Sequence, residues 1–350
     1  MKCRHCQSEL RLPFLDLGAA PYSNAYLTEA TLRTPEAWVP LRVLVCTSCW
    51  LVQTEAVVAA REVFTDQYAY FSSYSVSWLR HAEAYVAEMV DRFRLDRSSR
   101  VVEIAANDGY LLQYVKARGI PCLGIEPTAG TAQAARQKGI EILEAFFGAE
   151  LGAQLTADHK QADLITANNV LAHVPDIDDF LQGISRLLKP NGVVTFEFPH
   201  LLRLVEDSQF DTVYHEHFSY LSLAALVPIL EQNQLKPFDV ETLPTHGGSL
   251  RVFAQRMDSN AHLTTARLSQ SLTREARAGI QTEAFYGALQ GKAELIKHRF
   301  LQFLLKAKRA RKSVAAYGAA AKGNTLLNFA GIRPDLIPFV VDRNPAKQGK

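Results

Sequence analysis

The sequence VVEIAANDGYLLQY, at Val101–Tyr114, decides the fold of this chain. A short apolar run carries Glu103, small and polar residues follow, and an apolar helical pattern begins at Tyr110. This order predicts a strand, a tight turn and a helix, which is the opening unit of a doubly wound α/β domain. The first N–H groups of such a helix point into a crevice at the carboxyl end of the strand, where ligands bind.

A second acidic residue, Glu126, follows Glu103 by 23 positions and ends the next apolar run. An acid at the end of the second strand is placed to accept hydrogen bonds from two ribose hydroxyls. Of the glycines that a dinucleotide loop would carry, only Gly109 is present, since Ala105 and Asn107 occupy the earlier positions. NAD is therefore disfavoured, whereas S-adenosylmethionine (SAM) has no phosphate and tolerates these residues. An α/β turn that binds no ligand remains the alternative.

Apolar runs continue beyond this unit, with helical patterns between the first few, and predict a mostly parallel sheet. The predicted strands are Val101–Ile104, Cys122–Ile125, Gly139–Leu143, Asp163–Asn168 and Gly192–Phe198, and a helix is predicted before them at Ser75–Arg94. Asn168 ends its strand at the ligand-binding edge of the sheet, and His173 follows one turn later. Phe146 follows the third strand, where it stacks on adenine or packs in the core.

Four of the five cysteines form two C-x-x-C pairs, Cys3 with Cys6 and Cys46 with Cys49. Such pairs predict a closed, structural zinc site with four thiolate ligands, and free or redox-active cysteines are the alternative. Apolar residues flank the second pair, which indicates a β-hairpin. The chain of 350 residues carries 38 basic and 36 acidic residues, a balance that gives no electrostatic footprint for nucleic acid. Without an apolar leader or a membrane-length apolar run, we expect a cytoplasmic protein with no membrane partner.

The segment FDTVYHEHFSYLSL concentrates titratable side chains at Tyr214, Glu216 and His217. A helical segment would place Tyr214 and His217 on one face, whereas an extended segment would pair Tyr214 with Glu216. Because histidine titrates near neutral pH, the segment is a candidate acid/base cluster, and a solvated polar turn is the alternative. The phenol-rich segment FTDQYAYFSSY, with Tyr68 and Tyr70, either packs or lines a polar ligand site beside a domain junction.

The C-terminal part begins with a glycine turn into a strand at HGGSLRVFA and continues with Ala261–Lys312, which is predicted to be helical with a break near Gly279. Ser313–Phe329 repeats the strand, small-residue loop and helix of the first unit. Its loop carries Lys322 and Asn324, which suit an anion at a helix N-terminus. Because the chain ends directly after a further predicted strand, we expect this lobe to be incomplete.

These observations predict an α/β protein in three parts: a small zinc-binding lobe at residues 1–74, a Rossmann-like SAM domain of class I at 75–199, and a second Rossmann-like α/β lobe at 200–350 that binds substrate. The motifs that carry this division occur in one order along the chain: the two cysteine pairs, YAYFSSYS, EIAANDGYLL, ANNVLAHVPD, YHEHFSYLS, HGGSLRV and YGAAAKGNTLLN. In this order they resemble the sugar C-methyltransferases of deoxysugar pathways, which act on nucleotide-linked 4-keto-deoxysugars.

The resemblance implies that a base removes the C3 proton of the ketosugar and that the enolate carbon attacks the SAM methyl group. It assigns the base to His217, with Tyr214 and Glu216 orienting it. Tyr68 and His173 would line the sugar site, where they would steady the enolate oxygen or relay a proton. By charge and position, Arg251, Lys322 and Asn324 are candidates for the diphosphate of a TDP- or GDP-sugar, and Tyr70 is expected in the substrate site. By their place in the βα units, the residues expected to bind SAM are Glu103, Asn107, Gly109, Glu126, Phe146 and Asn168.

Two other functions are compatible with the residues alone. One is an RNA- or protein-modifying methyltransferase with a zinc ribbon, and the other is a non-catalytic protein that binds sugar nucleotides. The near-neutral charge and the second anion-binding unit favour the sugar C-methyltransferase over the first.

Overall fold

The computed structural model describes residues 1–55 and 70–350. Its N-terminal lobe is a small antiparallel sheet in which three strands follow one another in space: β1 (Leu12–Ala20), β2 (Val39–Val45) and β3 (Val52–Thr54). The turn between β2 and β3 carries Cys46 and Cys49, so the predicted hairpin is confirmed. Tyr68 lies outside the described residues.

Helix α1 (Val76–Phe93) connects this lobe to the rest of the chain and confirms the predicted helix. The Ser75 side chain caps its first turn by accepting a hydrogen bond from the Trp78 N–H. Arg94 ends the helix in a left-handed conformation. The apolar face of α1 buries Tyr85 and Met89 against the central sheet.

The central sheet has seven strands. They are β4 (Val101–Ile104), β5 (Cys122–Ile125), β6 (Ile142–Leu143), β7 (Ala162–Asn168), β8 (Leu188–Pro199), β10 (Leu235–Leu243) and β11 (Ser249–Arg256), in the spatial order β10-β11-β8-β7-β4-β5-β6. From β8 to β6 all neighbours are parallel, which confirms a parallel core. Helices cover both faces: α2 (Leu112–Ala117), α3 (Ala129–Gln137), α4 (Ala149–Ala157), α5 (Ile177–Leu187), α6 (Leu201–Glu206) and α7 (Leu223–Gln232).

The sheet does not end at residue 199, where the sequence-based division was placed. After β8 the chain returns to the same sheet, because β11 pairs antiparallel with β8, for example Leu250 opposite Phe198, and β10 pairs antiparallel with β11. The sheet is therefore mixed at this edge, and the unit built on it extends to Arg256. The apolar pattern of β10 and β11 does not indicate which sheet these two strands join.

The short strand β9 (Ser219–Tyr220) joins the N-terminal sheet next to β3, although it lies more than 160 residues away in sequence. Beyond the sheet the chain is helical at α8 (Ala266–Ala278), α9 (Glu283–Tyr286) and α10 (Leu289–Arg309), and Gly279 ends α8 in a left-handed conformation, as predicted. A small parallel unit follows, with β12 (Ala316–Tyr317), α11 (Ala321–Phe329) and β13 (Val340–Val341). Among the described residues, no helix has the length and apolar character needed to cross a membrane.

Candidate active site

A cavity of about 720 Å³ lies at the carboxyl edge of the central sheet. Residues at the ends of four neighbouring parallel strands line it: Ile104, Glu126, Asn168 and Pro199. The other walls come from distant parts of the chain, namely a loop of the N-terminal lobe, the YHEH segment and the start of α11. The ligand-binding edge predicted from the first βα unit is therefore the edge where the structure has its large cavity.

Most of the predicted site residues line this cavity: Tyr70, Asn107, Glu126, Phe146, Asn168, His173, Tyr214, Glu216, His217 and Lys322. Glu103 and Gly109 lie directly behind its wall in the β4–α2 unit. A methyl group on Gly109 would lie 2.4 Å from Ile140 Cδ1, so this glycine permits close packing of the loop rather than contact with a ligand. Burial raises the pKa of Glu103 well above its ordinary value.

Glu126 organises the cofactor side of the cavity. Its carboxylate accepts hydrogen bonds from the Asn107 N–H at 2.9 Å and the Thr128 N–H at 3.0 Å. The loop that follows β4 is held in unusual conformations, with φ of 55° at Ala105 and 49° at Asn107. The Thr128 hydroxyl also donates to Oε1, which fills both lone pairs of that oxygen, whereas Oε2 retains one acceptor site for a ribose hydroxyl.

Buried polar atoms at the same edge show that a polar ligand fits there. Within the described residues, Asn168 Oδ1, Asn169 Nδ2 and Glu103 Oε2 are buried and have no hydrogen-bond partner. Such atoms are costly unless a ligand or water satisfies them. Phe146 is half-exposed on the cavity wall, whereas Phe147 packs edge-on against Phe180 in the core. The arrangement fits SAM, with Glu126 for the ribose and Phe146 for the adenine.

The YHEH segment is neither helical nor extended; it forms a turn in which the His217 N–H donates to the Tyr214 carbonyl at 3.0 Å. The turn brings Tyr214, Glu216 and His217 together on the cavity wall. The rings of Tyr214 and His217 lie 4.0 Å apart between centroids, as the helical alternative would have required. Asn24 of the N-terminal lobe donates its amide to Glu216 Oε1 at 2.5 Å.

The hydrogen bond of the His217 ring defines its tautomer. Nδ1 lies 2.9 Å from the Thr212 carbonyl, and since a carbonyl only accepts, Nδ1 carries the proton. The His217 ring lines the cavity and has no second hydrogen bond within the described residues, so its Nε2 carries a lone pair and no proton. Burial lowers the pKa of His217 well below its ordinary value, and the charge of Lys322 contributes in the same direction.

His173 lies beside His217, with a distance of 4.7 Å between the two ring centroids. Its Nδ1 donates to the Glu216 carbonyl at 2.9 Å, and burial lowers its pKa to about 4. His173 is therefore neutral, with its proton on Nδ1 and none on Nε2. The phenol of Tyr214 is held in its protonated form, because burial raises its pKa well above 10.

Two predicted substrate contacts lie elsewhere. Arg251 is buried in an ion-pair cluster, 3.1 Å from Glu197 and 3.3 Å from both Glu88 and Glu241, and it does not line the cavity. Asn324 donates to the Pro21 carbonyl and accepts from Asn328, also away from the cavity. Both residues were selected by charge and position in sequence, which do not reveal such internal partners. Lys322, expected in a loop, is the second residue of α11.

Several cavity residues had no predicted role, among them Asn24, Trp78, His246 and Lys347. His246 has a φ of 54° and stacks edge-on against Trp78 at 5.1 Å, so the unusual HGG sequence was the available signal for it. Asn24 and Lys347 lie in stretches without a recognisable motif. Their positions depend on contacts between parts of the chain far apart in sequence.

The four cysteines of the two pairs meet in the N-terminal lobe, with all four Sγ atoms within 4.8 Å of one another. The separations are 3.6 Å between Cys3 and Cys49 and 3.4 Å between Cys6 and Cys46. A tetrahedral zinc ion with Zn–S bonds of about 2.3 Å requires Sγ separations of about 3.8 Å, so the cluster fits this metal. The His5 ring instead bonds Asp178.

The fold and the site define a class of protein. Counted from β4, the sheet order is 3-2-1-4-5-7-6 with an antiparallel seventh strand, and an acid ends the second strand. This is the arrangement of class I SAM-dependent methyltransferases, here with an added cysteine cluster.

Comparisons with known proteins identify the family. Family models match a zinc-binding domain at residues 3–64, a methyltransferase domain at 78–240 and a C-methyltransferase C-terminal domain at 244–350. The C-methyltransferase NovU of Streptomyces niveus is 33% identical over 349 residues, which cover 100% of this chain and 83% of NovU. The chain therefore belongs to the family of SAM-dependent C-methyltransferases.

More distant similarities fall within the methyltransferase domain. Ubiquinone biosynthesis O-methyltransferase of Aeromonas salmonicida is 32% identical over 99 residues, which cover 27% of this chain and 41% of that protein. Among solved structures, the magnesium protoporphyrin IX methyltransferase of Synechocystis with bound S-adenosylhomocysteine superposes with a TM-score of 0.42 and 17% identity. That match covers 52% of this chain and 84% of the other.

Proposed function

We propose that this C-methyltransferase deprotonates C3 of a nucleotide-linked 4-keto-deoxysugar with His217 and methylates the resulting enolate. The observation that carries the proposal is the neutral His217 ring, which lines the same cavity as the proposed SAM-binding residues and whose Nδ1–H is bound to the Thr212 carbonyl, so that Nε2 is unprotonated. Carbon is a poor nucleophile, so C-methylation requires a positioned base and stabilisation of the enolate.

The protonation states of the side chains next to His217 indicate what each of them can do for the substrate. Tyr214 is a protonated phenol in contact with the base, so its hydroxyl is available to donate to the enolate oxygen. His173 is neutral, with its proton on Nδ1, so its ring adds no positive charge beside the base. The hydrogen bond from Asn24 to Glu216 holds the turn against the N-terminal lobe.

When bound, SAM supplies an electrophilic methyl group. Glu126 would bind its ribose, and Asn168 and Asn169 would satisfy polar groups near the end of β7. These residues lie at the carboxyl edge of the sheet and line the same cavity as the YHEH turn. The chain's contribution to methyl transfer is to hold the acceptor carbon beside the cofactor and to exclude water from both.

The start of α11 is the proposed site for the diphosphate of the sugar nucleotide. Ala320, Ala321 and Lys322 line the cavity there, and the free N–H groups of a helix N-terminus favour an anion. Lys347 lines the same region and donates to the Ala319 carbonyl at 2.7 Å. Arg251 and Asn324, which do not line the cavity, have no part in this site.

The cysteine cluster is proposed to hold a structural zinc ion. Four thiolate ligands leave no open coordination position, so the metal would stabilise the lobe without contacting substrate. A structural role agrees with the position of the cluster, because none of the four cysteines lines the cavity.

Mass spectrometry tests the substrate class. The purified protein is incubated with SAM and a panel of TDP- and GDP-linked 4-keto-deoxysugars in deuterated water. We expect a product one methyl group heavier from at least one sugar nucleotide. If no sugar nucleotide gains a methyl group while RNA or protein does, the proposed substrate class is wrong.

A further inference from the structure

The turn that carries His217 is held by the N-terminal lobe. The Thr54 hydroxyl donates to the His217 carbonyl at 3.0 Å, and the Thr54 N–H donates to the Phe218 carbonyl at 3.1 Å. Strand β3, which ends at Thr54, also pairs with β9, whose first residue lies two positions after His217. The backbone on the C-terminal side of the base is therefore fastened to β3.

Strand β3 also directly follows the second cysteine pair in the chain. It begins three residues after Cys49, and the Cys46 N–H closes the intervening turn by donating to the Leu51 carbonyl at 3.0 Å. Gln53, fully buried in β3, donates its side-chain amide to Cys3 Sγ at 3.2 Å. One buried strand thus contacts both the cluster and the base turn.

Arg4 provides a second connection from inside the first cysteine pair. Its guanidinium donates to the Thr54 carbonyl at 2.7 Å and lies over the Phe218 ring, 5.3 Å from the centroid. Its backbone N–H donates to the Gln53 side chain at 2.9 Å. The neighbouring His5 bonds Asp178 of α5, so the two residues between Cys3 and Cys6 both connect the lobe to the rest of the molecule.

We propose that Arg4 and Thr54 are positioning residues for the base: they fasten the His217 turn to the cysteine cluster, so that the order of the cluster fixes the position of the imidazole. The inference rests on the proposed role of His217. Proton abstraction from carbon depends steeply on placement, and small displacements of a reacting group cost large factors in rate. The N-terminal lobe is therefore part of the catalytic geometry, although none of its cysteines touches the cavity.

Thr54→Val removes one hydroxyl with little change in shape, and Arg4→Ala removes the second connection. Loss of one such hydrogen bond is expected to lower kcat by about threefold to tenfold. KM for SAM and for the sugar nucleotide stays at its wild-type value, because neither residue lines the cavity. Thr54→Ser keeps the hydroxyl and restores kcat. Arg11→Ala is the matched control, because Arg11 is an exposed arginine of the same lobe that pairs with Glu9.

Nuclear magnetic resonance supplies a readout that does not depend on turnover. The Nδ1–H signal of His217, assigned by its absence in His217→Asn, is followed in the intact protein for its exchange with solvent. Thr54→Val and Arg4→Ala are expected to accelerate this exchange, because a loosened turn opens the bond to the Thr212 carbonyl more often. Wild-type kcat and wild-type exchange in both variants would overturn the inference, even when His217→Asn is inactive. An active His217→Asn would instead overturn the proposed base.

Discussion

The two sides of the cavity are built in different ways. The proposed cofactor side comes from one continuous stretch, between Val101 and Asn168, whose strands are neighbours in the same sheet. The proposed acceptor side is assembled from distant parts of the chain, among them the loop at Asn24, His173, the Tyr214–His217 turn and the start of α11.

The chemistry of the two sides differs as well. The proposed cofactor side holds the carboxylate of Glu126 and unsatisfied amide groups, which suit a fixed polar ligand. The proposed acceptor side holds neutral rings whose tautomers are set by backbone carbonyls. From this difference we expect the first side to determine affinity and the second to determine reactivity. Variants on each side should therefore change different measured quantities.

The largest effect is expected from disrupting the cysteine cluster that we propose to hold zinc and to support the acceptor side. Cys46→Ser removes one of the four thiolates, and structural zinc contributes about 10 kcal/mol or more of folding free energy. We expect the zinc content and the melting temperature to fall together, as measured by atomic emission and calorimetry. Cys122→Ser is the control, since Cys122 lies in β5 outside the cluster. Unchanged metal content in Cys46→Ser would contradict the zinc assignment.

His217→Asn is expected to have the next largest effect. Asparagine keeps a side-chain N–H for the Thr212 carbonyl but has no basic nitrogen, and a positioned general base contributes about 10²–10⁴ in rate. Methyl transfer should fall by this factor, while the dissociation constant of SAM, measured by titration calorimetry, stays unchanged. Weakened SAM binding would mean that the two sides of the cavity are not separable.

Glu126→Ala tests the cofactor side. The variant loses the acceptor for the ribose and leaves the Asn107 N–H without its partner. Hydrogen bonds to a charged group contribute about 1.5–3 kcal/mol, so the dissociation constant of SAM should rise by about tenfold to a hundredfold. Glu126→Gln keeps one acceptor oxygen and should show a smaller increase. An equal loss of affinity for the sugar nucleotide would contradict the assignment of SAM and the sugar nucleotide to separate sides of the cavity.

Lys322→Ala should act on the acceptor side alone. Removing one cation at the start of α11 is expected to raise KM for the sugar nucleotide by about tenfold, because a charge-assisted contact to phosphate contributes about 1.5 kcal/mol. The dissociation constant of SAM should not change. Lys306→Ala, at an exposed position in α10, is the control. A normal KM in Lys322→Ala would place the diphosphate elsewhere.

The smallest effect concerns pH. Because burial lowers the pKa of His217 and brings that of His173 to about 4, both rings stay neutral as the pH falls through 6.5. We expect kcat/KM to remain level there and to decline only at lower pH. The free energy of unfolding, by contrast, decreases as the pH falls below 6.5, because the unfolded chain binds protons there that the folded chain does not. An acid limb of kcat/KM centred near 6.5 would contradict the buried environment.

The sequence predicted the cofactor side better than the acceptor side, for a physical reason. Glu126, Asn168 and Gly109 are placed by local rules, since strand, turn and helix follow one another and parallel strands align their carboxyl ends. The contact of Asn24 with Glu216 and the burial of Arg251 among acids depend on long-range packing, which has no local signature. The YHEH motif identified the base candidate, but only the structure shows that the segment is a turn.

The most direct test follows solvent deuterium at the carbon beside the ketone, with S-adenosylhomocysteine in place of SAM so that methyl transfer cannot occur. The account predicts that the wild-type enzyme exchanges this hydrogen and that His217→Asn, with its cofactor affinity intact, does not. Exchange by His217→Asn at the wild-type rate would contradict the central claim that the His217 ring is the base.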